Sequence, residues 1–331
     1  MGPTIIDVAK KCGYSKATVS RAYTEPDRVS ERARNKIYAA AKSLNYTPNA
    51  IARAMVRQQT ENIAFIIHEK QSPAVLNPFY SPILEAVMRE SARRSYSVFV
   101  ATNQDVQLPN GDMYIKKQMD GVIFAGEVDP RAIEQLQEQN IPVVLLNNFQ
   151  DLPNLLCVVA NHYQGAVYAV NHLHDRGHRK IGLLAGRFSP QISEARYSGY
   201  FDALTQQGLC VDSRWIHNVE PTLEAGEEAM ARLLALPDRP SAVFCTNDTV
   251  AAGAVKAVLR AGLHLPEDMA IVGYDDNYIS RIVEPELTTI RVDAAKMGRI
   301  AAQKLFDLIA QKPVEERIIR LPAQLVVRGT T

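Results

Sequence analysis

The fold is decided first by residues 4–24, which read TIIDVAKKCGYSKATVSRAYT. Thr4 can cap the start of a short helix, and Gly13 can supply the left-handed residue that ends it. Ser15 can then cap a second helix over residues 16–23. Two short helices joined by a tight turn containing glycine are typical of the helix-turn-helix motif. We therefore predict that this stretch folds as a helix-turn-helix.

The second helix carries side chains suited to the major groove of DNA. Arg21 can donate two hydrogen bonds to guanine, Lys16 can reach a base edge or a phosphate, and Ala17 can contact a thymine methyl. The short hydroxyls suited to phosphate contacts are those of Ser15, Thr18 and Ser20. An ordinary helical hairpin with solvated basic side chains would show the same pattern, so the motif alone leaves both interpretations open.

A third helix is predicted to begin at Ser30 and to run through Leu44, with apolar residues at every third or fourth position. Its apolar stripe would complete a three-helix core with Val8, Ala9 and Val19. The basic residues near its start, which are expected phosphate contacts, are Arg28, Arg32 and Arg34. Residues 49–57 also have helical composition, but a helix of under about 12 residues is marginal in isolation.

Charge is distributed unevenly along the 331 residues. Residues 1–60 contain 11 Lys and Arg against 4 Asp and Glu, a net charge of +7, whereas the remainder carries −6. A short, strongly basic head on a mildly acidic body is typical of a module that binds a polyanion.

Length and composition indicate two or three globular domains. Hydrophobic residues make up 47% of the chain, yet no apolar run reaches the roughly 18 residues that cross a bilayer, and the first residues do not resemble a signal peptide. We therefore expect a cytoplasmic, nucleoid-associated protein with no membrane partner. The cysteines are too far apart for a disulfide framework or a zinc knuckle, and are expected to be buried free thiols. They are Cys12, Cys157, Cys210 and Cys245.

From residue 62 onward, short β-like runs alternate with amphipathic helical runs, which indicates parallel sheets flanked by helices. The predicted strands are 63–68, 97–101, 121–125, 142–146, 157–160, 181–185, 215–219, 242–246, 270–274 and 287–291. This number of strands favours two sheets over one. The predicted fold class is α/β, with a small all-α helix-turn-helix domain followed by a two-lobed domain whose cleft lies at the carboxyl ends of the strands.

Three polar side chains stand near the ends of predicted strands. Asn247 precedes a helix and Asp275 precedes a turn, so a helix cap and a turn are the ordinary explanations for these two. Arg196 is expected at the start of a helix, where a cation opposes the helix dipole. A ligand or an ion-pair partner is therefore expected to hold Arg196.

The motifs of the head together identify a family. The patterns TI.DVA at residues 4–9, S..TVSR at 15–21, VS at 29–30 and LNY.PN..AR at 44–53 resemble the head and hinge of the LacI/GalR family of transcription regulators. The resemblance implies that Lys16, Ala17 and Arg21 read bases in the major groove. The contacts to phosphates or to the flanks of the site would be Thr4, Tyr14, Arg28, Ser30 and Asn49.

The resemblance also implies a hinge helix over residues 49–57, paired with that of a dimer mate and inserted into the minor groove. Its minor-groove contacts would be Ala52, Arg53 and Met55, with Met55 where most members of the family have Leu. We therefore expect a homodimer that bends a pseudo-palindromic, double-stranded DNA operator. Tyr23 and Thr24 depart from the aliphatic residue and Asn that are usual in the family, which bears on operator preference.

The body carries a second set of motifs. The patterns GH..I at residues 177–181, R..GY at 196–200, TND..A.G at 246–253, VGYDD at 272–276 and LTTI at 287–290 resemble the periplasmic-binding-protein-like effector domain of this family. The residues that the resemblance assigns to effector binding are Phe79, Tyr80, Asn147, Arg196, Asn247 and Asp275. A guanidinium, amides and a carboxylate offer both the donors and the acceptors that a small polar effector such as a sugar requires.

The expected domains are a helix-turn-helix domain at 1–47, a hinge helix and linker at 48–61, and an effector-binding and dimerisation domain at 62–331. Its N-lobe would comprise about 62–160 and 292–320, and its C-lobe about 161–291 and 321–331. The connection over residues 102–120 is shorter than usual in the family. No heptad tail follows the expected last strand at 324–328, so a dimer is expected.

An enzyme is the main alternative class, but neither GxGxxG nor GxxxxGK[ST] occurs, and no GxSxG elbow or Cys–His pair emerges. His172, His174 and His178 are expected to be surface or capping residues because they do not share a helix face. We therefore predict no catalytic residue, no metal and no cofactor.

The predicted function is repression of carbohydrate-utilisation genes, released by a sugar or sugar-derivative inducer. A corepressor-activated regulator with a nucleobase-like ligand is the first alternative. A solute-binding protein without a DNA role is the second, and the basic head argues against it.

Overall fold

The computed structural model describes residues 3–46, 59–71, 73–104, 119–186 and 189–331. The chain divides into two compact units. Of the described residues, those up to Asn62, together with Met119 and Asp120, belong to the first unit, and the others form the second. Within these ranges, no helix is long and apolar enough to cross a bilayer. The predicted hinge residues Asn49, Ala52, Arg53 and Met55 lie outside the described residues, as does most of the short connection after residue 104.

The head consists of α1 (Ile5–Cys12), α2 (Lys16–Thr24), a 3₁₀ turn (Pro26–Arg28) and α3 (Glu31–Ser43). Gly13 ends α1 in the left-handed conformation at φ 71°, which a residue without Cβ adopts at no steric cost. The Ser15 hydroxyl accepts a hydrogen bond from the Thr18 backbone amide and caps α2. The helix-turn-helix is therefore present as predicted.

The head has its own small core. Val8, Val19 and Ile37 are fully buried where the three helices meet. Beside them the Tyr23 ring lies 5.2 Å from the Tyr38 ring, between centroids. Tyr23 is half-buried in this cluster, so it stabilises the head in addition to any effect on operator preference.

The last described residues before the body's first strand are anchored by one carboxylate. Asp120 accepts hydrogen bonds from the backbone amide of Thr60 at 2.7 Å, from the Thr60 hydroxyl at 2.8 Å and from the backbone amide of Glu61 at 3.0 Å. Three donors on one carboxylate hold the end of the predicted hinge and linker segment in a defined position.

The body contains two six-stranded sheets among the described residues. The N-lobe sheet has the order β11-β5-β4-β3-β1-β2, in which the neighbouring strands from β11 to β1 are all parallel. Its strands are β1 (Asn62–Ile67), β2 (Ser97–Thr102), β3 (Gly121–Ala125), β4 (Val143–Leu146), β5 (Leu156–Ala160) and β11 (Ile318–Leu321). All five strands predicted for this sheet are present. β11 was not predicted.

The C-lobe sheet has the order β12-β10-β9-β8-β6-β7, with β12 antiparallel to β10. Its strands are β6 (Ile181–Gly186), β7 (Ile216–Val219), β8 (Ala242–Cys245), β9 (Ala270–Asp275), β10 (Thr288–Arg291) and β12 (Gln324–Val326). The chain passes between the sheets after β5, after β10 and after β11. The predicted α/β class with two sheets is confirmed.

Helices flank both sheets, as continuous hydrophobic strands in parallel sheets require. They are α4 (Tyr80–Ala92), α5 (Pro130–Glu138), α6 (His162–Asp175), α7 (Pro190–Gln206), α8 (Leu223–Leu234), α9 (Asp248–Arg260), α10 (Ile279–Ile282) and α11 (Ala294–Ile309). In the C-lobe, α7, α8 and α9 begin just after β6, β7 and β8, so their N-termini meet at the carboxyl edge of that sheet. This edge forms one wall of the cleft described below.

Two expectations are corrected by the structure. Arg196 does not start a helix, because α7 begins at Pro190 and Arg196 lies in its second turn, so the argument from the helix dipole was wrong. Cys12, Cys157 and Cys245 are buried free thiols as predicted, but Cys210 is exposed because it lies in the loop that follows α7.

Candidate functional site

The outer face of α2 presents the residues predicted to read bases. Lys16, Ala17 and Arg21 are exposed, whereas Val19 and Ala22 on the opposite face are buried in the head core. A short helix with one buried face and one exposed, basic face is the form that enters a major groove.

The predicted phosphate-binding hydroxyls differ in their availability. Ser15 and Thr18 hydrogen-bond each other, with 2.9 Å between their hydroxyl oxygens, while Ser15 also caps the helix. Thr18 and Ser20 are half-buried, and Ser15 is exposed. Ser15 is thus the hydroxyl of the three most open to a phosphate.

Among the predicted flanking contacts, Thr4 is exposed and donates its backbone amide and hydroxyl to Asp7, both at 2.8 Å. Tyr14 is half-buried, with the Lys36 ammonium 5.6 Å from its ring centroid. Arg28 is exposed and pairs with Glu25.

Ser30 is exposed and caps α3 by accepting from the Ala33 amide. Arg34 donates to the Pro26 carbonyl at 3.2 Å and therefore has a structural role within the head. Arg32 is exposed on the same helix.

In the body, all six predicted effector-binding residues line one cavity of about 360 Å³ between the lobes. They are Phe79, Tyr80, Asn147, Arg196, Asn247 and Asp275. All six are at least nine-tenths buried. Distant parts of the chain thus place aromatic, amide, guanidinium and carboxylate groups around one small space, which we call the cleft.

The N-lobe wall of the cleft is built by the loop before α4. The Asn77 side-chain oxygen accepts from the backbone amides of Phe79 and Tyr80, both at 3.1 Å, and so holds these two residues at the start of α4. The Phe79 and Tyr80 rings meet edge to face, with centroids 5.2 Å apart. Asn147 donates from Nδ2 to the Tyr80 hydroxyl at 3.3 Å. Burial raises the pKa of Tyr80 to about 12, so its hydroxyl keeps its proton at neutral pH.

The C-lobe wall centres on Arg196, which is 3% exposed. Its guanidinium donates to the Thr246 carbonyl, and its Nη2 lies 3.5 Å from Oδ1 of Asp275. Its central carbon lies 3.9 Å from the centroid of the Tyr274 ring, a cation–π contact. Gly165 of α6 makes room for that ring, because a Cβ there would lie 2.3 Å from the Tyr274 hydroxyl.

Asp275 ends β9 with φ 110°, a backbone conformation that residues other than glycine rarely adopt. Such strain is typical of functional positions held by their surroundings. Burial raises the pKa of its carboxyl to about 7, and the nearby Arg196 guanidinium limits the rise. A small change in surroundings can therefore change its charge at neutral pH.

The oxygen and the nitrogen of the Asn247 side-chain amide have different roles. Its side-chain oxygen accepts from the Val250 amide at 2.7 Å and caps α9, as the sequence allowed. Its amide nitrogen remains as a donor. The adjacent Asp248 is fully buried behind the cleft, where Thr289 donates to it at 2.6 Å and burial raises the pKa of its carboxyl.

Sequence reasoning missed several residues that also line the cleft. Ser189 is the clearest, because it stands at the start of α7 and is 93% buried, yet its hydroxyl caps nothing and has no hydrogen-bond partner among the described residues. The others include Asn77, Glu127, Ile192, Glu220, Thr222 and Thr249. Ser189, Thr222 and Asn247 are the N-cap residues of α7, α8 and α9. The rule that sites lie at the carboxyl ends of parallel strands could have found them.

Two of the three histidines considered as metal ligands hydrogen-bond to separate hydroxyl groups. His172 bonds the Thr331 hydroxyl at 2.8 Å, and His178 bonds the Ser241 hydroxyl at 2.9 Å. Across the described ranges, His, Cys, Asp and Glu form no group of three that could hold a metal ion.

A helix-turn-helix head with an exposed basic reading helix, joined to a two-lobed α/β domain with a polar cleft, defines a ligand-responsive DNA-binding regulator. Residues 4–49 match the description "Bacterial regulatory proteins, lacI family", and residues 170–331 match "Periplasmic binding protein-like domain". The HTH-type transcriptional repressor PurR of Mannheimia succiniciproducens is 34% identical over 330 residues, which cover 98% of this chain and 97% of that protein.

Two solved structures extend the similarity. The lac repressor dimer bound to operator and the anti-inducer ONPF matches with a TM-score of 0.85 at 27% identity, covering 100% of this chain and 99% of the other. The transcriptional regulator CelR in complex with cellobiose matches with a TM-score of 0.74 at 29% identity, covering 99% and 100%. The chain belongs to the LacI family of bacterial transcription regulators. It is a DNA-binding transcriptional repressor and not an enzyme.

Proposed function

We propose that this repressor controls carbohydrate-utilisation genes and that a neutral sugar or sugar derivative, bound in the cleft, releases it from its operator. The observation that carries the proposal is the set of six buried polar and aromatic residues around one cavity of sugar size. The CelR relative was solved with cellobiose, which supports a sugar as the ligand class.

The chemistry of the cleft fits a polyol. Asp275 offers acceptors, Arg196 and the Asn247 amide nitrogen offer donors, and each sugar hydroxyl can do both. Phe79 supplies an aromatic surface against which the apolar face of a sugar ring can pack. Most of such a ligand would be removed from water, as is usual for small-molecule sites.

On the DNA side, we propose that Lys16, Ala17 and Arg21 read bases, and that Ser15, Thr18 and Ser20 anchor phosphates. Thr4, Tyr14, Arg28, Ser30 and Asn49 would flank them, and Ala52, Arg53 and Met55 would occupy the minor groove. The base-reading trio is exposed on α2, which supports its assignment.

A homodimer would place two such heads on a pseudo-palindromic operator. The lac repressor relative is a dimer on its operator. Exposed apolar side chains in the N-lobe are consistent with a subunit interface: Met88 is 51%, Phe99 57% and Val100 45% exposed.

The proposed mechanism is a thermodynamic linkage between effector binding and DNA binding. Binding of an effector between the lobes would close the cleft and change the spacing of the two hinge segments, so that both heads no longer fit their half-sites. The coupling is reciprocal, because operator DNA must lower effector affinity by the factor by which effector lowers DNA affinity.

The test uses full-length protein. Fragments retained in a gel-shift screen identify the operator, and a thermal-shift screen covers ribose, cellobiose, other glycosides, polyols and nucleobases. We expect a sugar to raise the unfolding temperature and to release the retained fragment. A nucleobase that strengthens retention would replace this proposal with the corepressor alternative, and a protein that retains no fragment at any salt concentration would overturn its DNA-binding part.

A further inference from the structure

His162 is the first residue of α6, 6% exposed, and it does not line the cleft. Its Nε2 lies 3.1 Å from Oδ1 of Asn147, which belongs to the N-lobe wall. Its Nδ1 lies 3.3 Å from Nη2 of Arg196, which belongs to the C-lobe wall. One buried imidazole therefore joins the two halves of the binding site from behind.

The partners of His162 determine which nitrogen carries its proton. A guanidinium only donates hydrogen bonds, so Nδ1, which faces Arg196, must be the acceptor. Burial and the Arg196 charge both lower the pKa of His162 well below its ordinary value, which keeps the ring neutral. The single proton then sits on Nε2 and is donated to Asn147.

This proton position sets the orientation of two cleft residues. Because Nε2 donates, the Asn147 atom facing it must be the amide oxygen, and the amide nitrogen must point to the Tyr80 hydroxyl. The Tyr80 oxygen accepts this hydrogen bond, which leaves its own proton to be donated into the cleft. The polarity is transmitted from Arg196 through His162 and Asn147 to Tyr80.

We propose that His162 is a positioning residue that makes the N-lobe wall of the cleft a donor surface, so that the effector must present a hydrogen-bond acceptor to Tyr80 and Asn147. The C-lobe carboxylate of Asp275 presents the opposite polarity. The effector is thereby oriented between the donors of the N-lobe wall and the Asp275 acceptor of the C-lobe wall. This inference rests on the cleft being the effector site, as proposed above.

The charged and titratable groups that face this network come from several elements. Arg196 lies on α7, Tyr80 on α4, and Tyr274 and Asp275 on β9. The Tyr274 hydroxyl is 3.5 Å from Nδ1 of His162 and can donate to this nitrogen or accept from it. The tautomer assignment therefore depends on the Arg196 guanidinium, which can only donate, and the Tyr274 contact is compatible with it.

The first experiment needs no ligand. Neutron diffraction from deuterated crystals of the full-length protein shows hydrogen positions directly. We expect deuterium on Nε2 of His162 and none on Nδ1, with the Asn147 amide nitrogen facing Tyr80. Deuterium on Nδ1, on both ring nitrogens, or a reversed Asn147 amide would overturn the proposal. This result is independent of whether any sugar binds.

The second experiment uses ribose and cellobiose as probes, measured by calorimetry. His162→Leu removes both hydrogen bonds. If ribose or cellobiose binds the wild type, the affinity of the variant for that sugar should be about tenfold lower. His162→Gln can accept at one atom and donate at the other, and should restore affinity to within about threefold. His172→Leu, a half-buried position on the same helix, is the matched control and should bind as the wild type does.

Fluorinated sugars distinguish positioning from a merely structural role, because fluorine accepts weakly and cannot donate. In the wild type, at least one hydroxyl should tolerate replacement by fluorine but not by hydrogen, and His162→Leu should abolish that difference. Equal tolerance in both proteins would contradict the proposal. If neither sugar binds the wild type, the sugar proposal fails while the neutron result still decides the role of His162.

Discussion

The guanidinium of Arg196 and the carboxylate of Asp275 approach to 3.5 Å with 3% and 9% of their side chains exposed. They come from the second turn of a helix and from the end of a strand, 79 positions apart in the chain. A buried pair at this distance offers a polar ligand one donor group and one acceptor group already desolvated and held in place.

Replacing Arg196 by Ala should abolish the response to effector and preserve DNA binding. The cleft loses the guanidinium that pairs with Asp275, and Asp275 becomes protonated rather than remaining charged and buried. We expect effector affinity to fall at least about 30-fold, roughly 2 kcal/mol, with operator affinity unchanged. Arg176→Ala, at the exposed end of α6, is the control. Normal release of DNA by effector in Arg196→Ala would place the binding site elsewhere.

Effector affinity should depend on pH through Asp275, whose pKa burial raises to about 7. The ionised carboxylate accepts hydrogen bonds from ligand hydroxyls, so affinity should decrease below pH 7, by up to about tenfold per unit. Asp275→Asn should bind weakly at every pH and lose this dependence. Calorimetry between pH 5.5 and 8.5 measures how effector affinity depends on pH. A wild-type affinity that does not change with pH would contradict the assignment of Asp275 to effector binding.

The same carboxyl should reduce stability at neutral pH. Its folded pKa exceeds the ordinary value of 3.8, so the folded state holds the proton more tightly than the unfolded chain does. Stability from this group is complete below about pH 4 and decreases as the pH rises towards 7. Asp275→Asn should therefore unfold at a temperature about 2 °C higher than the wild type at pH 8 and at a similar temperature at pH 4. Calorimetric unfolding at both values checks the sign.

Ser189→Ala should weaken effector binding without lowering stability. The Ser189 hydroxyl caps no helix amide and has no partner in the part of the chain that the structure describes, so its removal costs the folded protein none of the hydrogen bonds described there. A ligand that bonds it should lose about three- to tenfold in affinity. Thr222→Ala is the contrasting variant, because the Thr222 hydroxyl accepts from the Ala225 amide and its loss should lower the unfolding temperature. If Ser189→Ala is less stable than the wild type but binds effector normally, Ser189 has a structural role and is not a ligand contact.

Arg21→Ala and Arg28→Ala should affect DNA binding in different ways. Arg21 is proposed to contact a base, so its loss should cost about 1–3 kcal/mol and relax the preference at one operator position. Arg28 is proposed to contact a phosphate, so its loss should lower the affinity for all DNA sequences about equally. The number of counterions released on binding, measured from the salt dependence of the affinity, should fall by about one. Binding to operator variants at several salt concentrations separates the two. Unchanged discrimination in Arg21→Ala would exclude α2 as the reading helix.

Asp120→Asn should weaken operator binding while effector binding stays normal. The variant cannot accept all three hydrogen bonds from Thr60 and Glu61, so the end of the hinge and linker segment loses its anchor. We expect about tenfold lower operator affinity. Asp129→Asn is the matched control, because Asp129 also accepts from a backbone amide but at the start of α5. Equal loss in both variants would indicate general destabilisation instead.

The head was predictable because its signals are local. Thr4, Gly13, Ser15 and Ser30 each act within three or four residues, and each marks a helix end that the structure reproduces. Eleven of the strands described in the body were also predictable, most of them because continuous apolar runs identify buried parallel strands. The six cleft residues came from family resemblance, since nothing local shows that Asn147 and Arg196 share a cavity.

The rest depended on tertiary structure. β11 has only four residues and is paired through β5, far away in sequence, so no periodicity marks it. The start of α7 was misplaced, which moved Arg196 from the second turn of the helix to its first. Ser189 and His162 look like an ordinary cap and an ordinary helix-start residue. Their roles follow from which partners they have, or lack, in three dimensions.

The meeting of three helix N-caps at the cleft has a consequence for how such repressors diversify. Ser, Thr, Asn and Asp start helices almost equally well, so exchanges among them at Ser189, Thr222 or Asn247 change stability by little more than a few tenths of a kcal/mol. Exchanges between a hydroxyl residue, Asn and Asp nevertheless change the polar group, hydroxyl, amide or carboxylate, that lines the cleft. Single substitutions at these positions can therefore change ligand preference at little cost in stability, while the rest of the fold and the DNA-reading head stay the same.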